Sequence, residues 1–190
     1  MRFFCRHGFG IHSPWAYSLV TNVLFDKHQY YAFSELKKLY PKDTKNNEQL
    51  FRLINALQPS DIIIIHDKNT YEKAEATKQY AERASKAISI EMIEINEDTP
   101  LNTIYEKYPS HRVFSMINII TSNQSPSLAE WIINGHIDNK SCMVIEDIKK
   151  KNKPLWEKLL IIPEATATFD MSKRGIAFFD TKRFKQNYKL

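Results

Sequence analysis

The feature that most constrains the fold is an apolar run, Ile62 to Ile65, that leads directly into a polar segment ending at Thr70. Four consecutive β-branched residues are typical of a strand covered on both faces, as the strands of parallel sheets are. In open α/β sheets the turn after such a strand meets a helix N-terminus, and ligands bind there. The sequence therefore predicts a parallel sheet with a candidate ligand site after its first strand.

The turn after this strand contains no glycine. The chain has only four glycines, none of them near this turn: Gly8, Gly10, Gly135 and Gly175. Glycine admits positive φ and lets a nucleotide-type cofactor approach the backbone. Other residues lose about 1 to 2 kcal/mol each in the left-handed region, although Asn69 tolerates that region better than most. The sequence therefore predicts a cofactor-type architecture without the usual glycine cradle.

Helical and strand patterns alternate along the chain. A helix with apolar residues from Leu50 to Leu57 is predicted to start at a cap on Asn46 or Asn47 and to stop at Pro59. The other predicted elements are strands at 62–65, 88–95, 113–120 and 142–145, helices at 71–85, from Ser125 and from Pro154, a short helix or turn at 99–108, and a hairpin of 165–169 and 176–179 around Gly175. This order predicts a doubly wound, mostly parallel α/β sheet with one reversed strand.

The first 41 residues predict a helical extension that packs on the main body. Ser13 and Pro14 are typical of a helix N-cap and a first-turn proline. The polar stretch 42–47 is predicted to be a linker or loop. We therefore expect an extension at 1–41 and an α/β domain at 42–190, together forming a single compact unit.

Composition excludes several classes of protein. Lysine and arginine exceed aspartate and glutamate by 27 to 22, which a solvated surface explains without nucleic-acid binding. Cys5 and Cys142 are too few for a disulfide framework. No apolar stretch approaches the roughly 20 residues needed to cross a bilayer. We expect a soluble cytoplasmic protein that does not bind membranes. Part of the positive charge lies in the tail from Lys173 to Lys189, and nucleic-acid binding through this basic tail is the less favoured alternative to a solvated surface.

Both ends of the chain resemble a known family. The segments that carry the resemblance are His7–Pro14, Thr21–Phe25 and Tyr30–Ala32 near the start, and Val144–Ile148, Trp156, Phe169–Asp170 and Gly175–Phe179 in the second half. They are similar to small bacterial class I S-adenosylmethionine-dependent methyltransferase-like proteins, over more than half of the chain. The resemblance implies a Rossmann-like methyltransferase fold and assigns the His7 to Pro14 motif a structural or lid role.

The resemblance also implies where S-adenosylmethionine would bind. Family members carry an acidic residue and a glycine-rich loop after the first strand, where this chain has His66, Asp67 and Asn69, so its cofactor loop is degenerate. Glu94 stands where the family places the acid that holds the ribose hydroxyls. The interval from Glu94 to Val113 is short for the usual helix, strand and loop, so we expect that one edge strand is missing.

Each candidate has an alternative interpretation. His66 and Asp67 are either ligand-binding groups at the carboxyl-end crevice or ordinary polar loop residues. Glu94 either binds a ribose or ends a strand in solvent. Glu146 and Asp147 are weak candidates for a divalent metal, and a loop or cap role is favoured because partner acids are not evident. We otherwise predict no metal site.

Two functions remain open. The first is a degenerate methyltransferase-fold protein with weak or absent cofactor binding, acting as a binding or regulatory module on an unknown small molecule or protein. The alternative is an active S-adenosylmethionine-dependent methyltransferase with a small-molecule acceptor. The missing glycines favour the first. Neither the oligomeric state nor a catalytic residue is evident from the sequence.

Overall fold

A seven-stranded mixed sheet forms the centre of the protein in a computed structural model that describes residues 10–95, 112–121 and 135–190. The strands are β1 (Asp61–His66), β2 (Ser89–Glu94), β3 (Met116–Ile119), β4 (Cys142–Glu146), β5 (Ala167–Asp170), β6 (Arg174–Phe178) and β7 (Gln186–Lys189). Their order across the sheet is β2-β1-β3-β4-β6-β5-β7.

The topology confirms the predicted doubly wound sheet. Strands β2, β1, β3 and β4 are parallel, β6 is antiparallel to β4 and β5, and β7 is parallel to β5. The chain runs from β1 outward to β2 and returns on the other side of β1 as β3, so the direction of winding reverses between β1 and β3. The carboxyl edge beside this reversal is where open α/β sheets bind ligands.

Five α-helices are described: α1 (Pro14–Leu19), α2 (Phe33–Leu39), α3 (Thr44–Leu57), α4 (Tyr71–Ala84) and α5 (Lys153–Ile161). A π-helical turn, Val20–Leu24, continues α1. The predicted cap of α1 is confirmed, because the Ala16 backbone N–H donates to Ser13 Oγ at 3.3 Å. Within the described ranges, no helix is long and apolar enough to span a bilayer.

The two faces of the sheet carry separate apolar clusters. Residues of α1 to α4, including Leu19 and Phe33, pack with Ile62 and Ile64 on one face. Helix α5 packs on the other face through Trp156 and its neighbours. Because side chains alternate along a strand, the central strands β1, β3 and β4 contribute to both clusters, which explains their continuous apolar runs. The division at residue 41 stays a prediction.

The predicted start of α3 is wrong. The helix begins at Thr44 after Asp43, which has a left-handed φ of 53° and makes no side-chain cap, so the predicted loop at 42–47 is largely helical. Asn47 lies inside the helix, where its Oδ1 accepts a 3.4 Å hydrogen bond from Thr77 of α4. The contact with Thr77, and not the preference of asparagine for an N-cap, therefore accounts for the position of Asn47.

The hairpin is confirmed, but the role assigned to Gly175 is wrong. The turn is made by residues 171–173, with Ser172 at φ 73°, and Gly175 lies within β6. A Cβ on Gly175 would stand 2.5 Å from the Trp156 ring. Gly175 is therefore required by the close approach of the indole, whereas Ser172 takes the strained turn position.

Strand β7 was not predicted, since its segment was assigned to the solvated basic tail. The backbone N–H of Gln186 donates to Thr166 O at 2.8 Å, and the ladder runs to Lys189 beside Asp170. Its sequence is polar because the strand lies at the exposed edge of the sheet.

Several predictions fall on residues outside the described ranges. They concern Cys5 and the start of the His7 motif, the short helix or turn at 99–108, and most of the helix from Ser125. The interval in which an edge strand is expected to be missing also lies there. Among the described strands, β2 is the outermost on that side of the sheet.

Candidate functional site

The carboxyl edge of the parallel strands brings some of the predicted site residues together. His66 ends β1 and Glu94 ends β2, and the two residues are direct partners in the parallel register. Glu146 ends β4, which is separated from β1 by β3. The sequence-based grouping of His66, Asp67, Asn69 and Glu94 at one edge therefore agrees with the positions of these residues in the fold.

The turn between β1 and α4 is closed by a capping box. Asp67 Oδ1 accepts hydrogen bonds from the backbone N–H groups of Asn69 at 2.9 Å and Thr70 at 3.0 Å. In return, Thr70 Oγ1 accepts from the Asp67 backbone N–H at 3.0 Å. Residues Lys68–Thr70 form one 3₁₀ turn ahead of α4. Two of the backbone donors that this turn offers to an anionic ligand are thus bound by the chain's own carboxylate.

This turn contains no left-handed residue. The described non-glycine residues with positive φ lie elsewhere: Asp43, Gln58, Asp147 and Ser172. The expected cost of forcing side chains into the left-handed region therefore does not arise at the turn, and the tolerance of Asn69 for that region is not used. The turn needs no glycine because Asp67 is extended, at φ −116°, and none of the residues that follow it in the turn has a positive φ.

His66 is packed into the base of the turn. Its side chain is 3% exposed, and its Nδ1 lies 3.2 Å from the Asp67 carbonyl oxygen. The ring of Tyr71 meets it edge-on, with 5.6 Å between centroids. By alternation along β1 it faces the same side of the sheet as Ile62 and Ile64. His66 is therefore packed against the turn at the carboxyl end of β1 and presents little surface to solvent.

Glu94 is exposed at the end of β2. Within the described part of the chain, no hydrogen bond or ion pair engages its carboxylate. The ladder continues past it, since the Ile95 backbone N–H donates to His66 O at 2.8 Å. The carboxylate is therefore accessible beside His66, which is compatible with both interpretations given above.

Glu146 lies in a buried cluster of charges. Its Oε1 accepts from Arg174 Nε at 2.6 Å, and Lys73 Nζ lies 3.4 Å from its Oε2. The Glu146 and Arg174 side chains are 2% and 3% exposed. Arg174 also donates to Asn46 O at 2.5 Å and so ties β6 to the start of α3.

The cluster bears on the metal hypothesis. A cation at Glu146 would have to displace both Arg174 and Lys73, and the described residues contain no group of three or more potential metal ligands. Asp147 has φ 54°, and its carbonyl oxygen accepts from the Lys150 and Asn152 backbone N–H groups, which places it in a tight turn.

A crevice opens beside the start of α4 and has a volume of about 560 Å³. We call it the α4 crevice. Its lining residues are Leu39, Tyr40, Pro41, Lys42, Asp43, Asn47, Asn69, Tyr71, Glu72, Lys73, Glu75 and Ala76. It lies between the α2–α3 connection with the start of α3 and the first two turns of α4. Sequence reasoning assigned only Asn69 to a site, because the other lining residues come from distant segments and share no motif.

Two buried asparagines on this side of the sheet are incompletely hydrogen-bonded. Asn47 is 1% exposed, and its Nδ2 has no partner among the described residues. Asn118, in the centre of β3, is also 1% exposed, and neither of its amide atoms has a partner there. Buried amides are normally paired, so each asparagine marks an unusual position. Only Asn47 lines the α4 crevice.

The fold is a doubly wound sheet in which one strand, β6, runs antiparallel to its neighbours, with polar side chains at the carboxyl edge of the parallel strands. Solved structures of methyltransferases share this architecture. The similar structures include a putative caffeoyl-CoA O-methyltransferase from Staphylococcus aureus, with a TM-score of 0.56 and 14% identity over 80% of this chain and 94% of that one.

Two further methyltransferases are similar in structure. The SAH-bound Podospora anserina methyltransferase PaMTH1 has a TM-score of 0.51 and 10% identity, over 93% of this chain and 97% of that one. A putative O-methyltransferase from Klebsiella pneumoniae has a TM-score of 0.51 and 10% identity, over 86% and 96% of the two chains. No protein-family model and no curated protein matches the sequence. The chain therefore has an S-adenosylmethionine-dependent methyltransferase-like fold, as predicted, and at these identities the likeness establishes the fold alone.

Proposed function

We propose that the protein uses a methyltransferase-like fold as a binding or regulatory module and binds S-adenosylmethionine weakly or not at all. The observation that carries this proposal is the capping box at Asp67. The proposed partner is a small molecule or a protein, and the proposed location is the cytoplasm.

The capping box opposes any cofactor that binds through the backbone of this turn. A ligand that needs the Asn69 and Thr70 N–H groups must first displace Asp67, and losing an N-cap of this kind costs about 0.5 to 2 kcal/mol. Each 1.4 kcal/mol is about tenfold in affinity, so the box lowers the affinity of such a ligand by about tenfold. The turn is therefore the feature that argues against tight cofactor binding.

The alternative is an active S-adenosylmethionine-dependent methyltransferase with a small-molecule acceptor. One observation favours it: the α4 crevice reaches Asn69 and Tyr71 at the very start of α4, so open space adjoins the turn. The accessible carboxylate of Glu94 beside His66 is compatible with a ribose contact.

Calorimetric titration separates these functions. Purified full-length protein is titrated with S-adenosylmethionine and, in parallel, with S-adenosylhomocysteine, which tests the site without methyl transfer. The proposal predicts no saturation below about 50 μM, about tenfold above a low-micromolar cofactor site, which corresponds to a binding free energy weaker than about −6 kcal/mol. Saturation at low micromolar concentration by either compound would overturn the proposal in favour of the enzyme. Glu94→Gln is the matched variant, since a ribose-binding carboxylate would lose affinity on this substitution whereas an exposed strand end would not.

A further inference from the structure

We infer that the open edge of β7 binds an extended acidic peptide of a partner protein, which adds to the sheet as a further strand. This inference names the kind of partner for the binding role proposed above, and it rests on that role. It does not depend on the Asp67 turn, because β3, β4, β6 and β5 separate β7 from β1.

The first observation is the unused main chain of β7. Among the described strands, β7 is the outermost on its side of the sheet, and β5 is its only neighbour. The backbone N–H groups of Gln186 and Leu190 donate at 2.8 Å to carbonyl oxygens on the β5 side. Successive residues of a strand direct their main-chain groups to opposite sides, so Asn187 and Lys189 direct theirs away from β5. Such an edge can pair with an added strand.

The second observation is the positive charge of this edge. Residues 180–190 carry one acidic side chain, Asp180, and four basic ones: Lys182, Arg183, Lys185 and Lys189. Asp180 Oδ2 lies 2.9 Å from Arg183 Nε, so the acid is already paired. Lys182 and Lys189 are exposed, and no ion pair with another described residue engages either ammonium group. Carboxylates on an incoming strand would complement these lysines, as opposite charges do across neighbouring strands.

The third observation is a groove of about 330 Å³ at the start of β7, which we call the β7 groove. It is lined by three aromatic rings and three basic side chains, and by no carboxylate of the described residues: Trp15, Phe184, Tyr188, His12, Lys182 and Arg183. The Arg183 guanidinium lies 3.7 Å from the centre of the Trp15 ring. In strand addition, main-chain hydrogen bonds supply affinity and side-chain pockets supply specificity. The β7 groove would hold one large apolar side chain of the peptide beside its carboxylates.

Phe184 distinguishes a docking edge from a protected one. Lysines on an edge strand can also serve to keep other strands away. The Phe184 ring, however, is 90% exposed directly before β7. An exposed ring beside an open edge promotes the association that protective lysines prevent. The two features agree if the edge accepts a partner and the lysines select an acidic one.

Three other occupants fit this edge less well. A second copy of the chain would place basic side chains opposite basic side chains, which is unfavourable. The segment 1–9 of this chain contains Arg2 and Arg6 and no acidic residue, so it does not complement the charge either. A nucleic acid could use the lysines and the rings, but it has no main chain that pairs with a strand edge.

A set of matched peptides tests strand addition on the full chain. The first probe is a fluorescent peptide in which glutamate alternates with valine around one central phenylalanine. Two further versions carry N-methyl groups on one or the other set of alternate backbone amides, and a fourth has lysine in place of glutamate. Fluorescence anisotropy should give a dissociation constant of about 10 to 100 μM for the first probe, because ordering the peptide offsets part of the gain. One N-methylated version and the lysine version should bind at least about tenfold more weakly.

Hydrogen exchange of the ¹⁵N-labelled chain locates the contact. With saturating acidic peptide, the backbone amides of Asn187 and Lys189 should gain the most protection, because they point away from β5 and would form the new hydrogen bonds. The amides of Gln186 and Leu190 already donate on the β5 side and should gain less.

Two pairs of variants separate the contributions. Lys189→Pro and Lys189→Gln both remove the charge, but only proline removes the outward N–H, so it should bind the acidic peptide about fivefold more weakly than Lys189→Gln. Phe184→Ala should weaken the peptide about tenfold through the lost ring contact. Tyr31→Ala removes a ring that is 80% exposed at the start of α2 and should stay within about twofold of the wild type.

Four results would each overturn the inference. They are equal affinity of the acidic peptide and both N-methylated versions, equal affinity of the acidic and lysine versions, tighter binding of an oligothymidylate of equal charge, and no saturation up to about 1 mM, roughly tenfold above the weakest expected constant. A dimer in sedimentation that Lys189→Pro dissociates would also overturn it, in favour of a second copy. Low-micromolar binding of S-adenosylmethionine would overturn the proposed function and leave the peptide contrast intact, so the two failures are distinguishable.

Discussion

The turn after β1 and the α4 crevice lie on either side of the first residues of α4, yet their polar groups are treated in opposite ways. At the turn, Asp67 and Thr70 satisfy each other and the helix N-terminus. In the crevice, the Asn47 amide stays partly unpaired in a buried position. The contrast teaches that the polar groups at one helix N-terminus can be satisfied within the turn while a buried amide on the neighbouring helix stays partly unpaired.

The largest expected effect concerns the buried charge cluster of Glu146, Arg174 and Lys73. Replacing Glu146 by leucine leaves Arg174 buried without its carboxylate and should lower the free energy of unfolding by about 3 to 5 kcal/mol. Urea unfolding measures this. The double variant Glu146→Leu/Arg174→Leu is the control and should recover much of the loss. If the single variant were as stable as the wild type, the Glu146–Arg174 pair would not be needed for the stability of the fold.

The second prediction concerns the capping box at Asp67. Asp67→Ala removes the cap and should destabilise the protein by about 0.5 to 2 kcal/mol while freeing two backbone N–H groups. Asp67→Asn, which caps nearly as well without the charge, should retain most of the stability. Unfolding and calorimetry with S-adenosylmethionine are measured on both variants. A gain in affinity for Asp67→Ala would show that the carboxylate blocks the site.

The third prediction concerns the stability contribution of Asn118, the other buried asparagine with an unpaired amide. Asn118→Leu removes a buried amide that has no partner in the described structure, so it should stabilise the protein by up to about 1 kcal/mol. Chemical unfolding again provides the measurement. A loss of more than about 1 kcal/mol would mean that Asn118 is paired in solution, and the same pairing would then have to be considered for Asn47.

The smallest expected effect is a pH dependence of stability caused by His136, whose backbone oxygen accepts from the Phe114 N–H just ahead of β3. Burial lowers the pKa of His136 below its usual value of 6.5. The unfolded chain therefore binds a proton at a higher pH than the folded chain, and stability should fall as the pH decreases from about 6.5 towards the lower folded pKa. His136→Gln should flatten the unfolding free energy between pH 7 and 5. An unchanged slope would assign the pH dependence to other groups.

Much of the fold was predictable because apolar runs such as Ile62 to Ile65 have one physical interpretation, a strand covered on both faces. Strand β7 was not, since an edge strand needs no apolar pattern and its polar residues also suit a tail. The prediction of where α3 starts was wrong for a different reason. Asn47 has the chemistry of a cap, and only its contact with Thr77, thirty residues away, shows that it is buried.

The candidate site was predictable in position and not in detail. Its location followed from the order of strands, and its missing glycines were visible. The spacing of Asp67 and Thr70 is that of a capping box, and this signal could have indicated that the turn closes on itself without strain. The α4 crevice could not be found in this way, because segments around Tyr40, Asn47 and Tyr71 meet only after folding.

The contact between Trp156 and Gly175 has a consequence for sequence variation among relatives. The indole fills the volume that a side chain at position 175 would need, so any larger residue there requires a smaller one at position 156. The two positions should therefore change together: relatives with alanine or serine at 175 are expected to carry a smaller, aliphatic residue in place of the tryptophan.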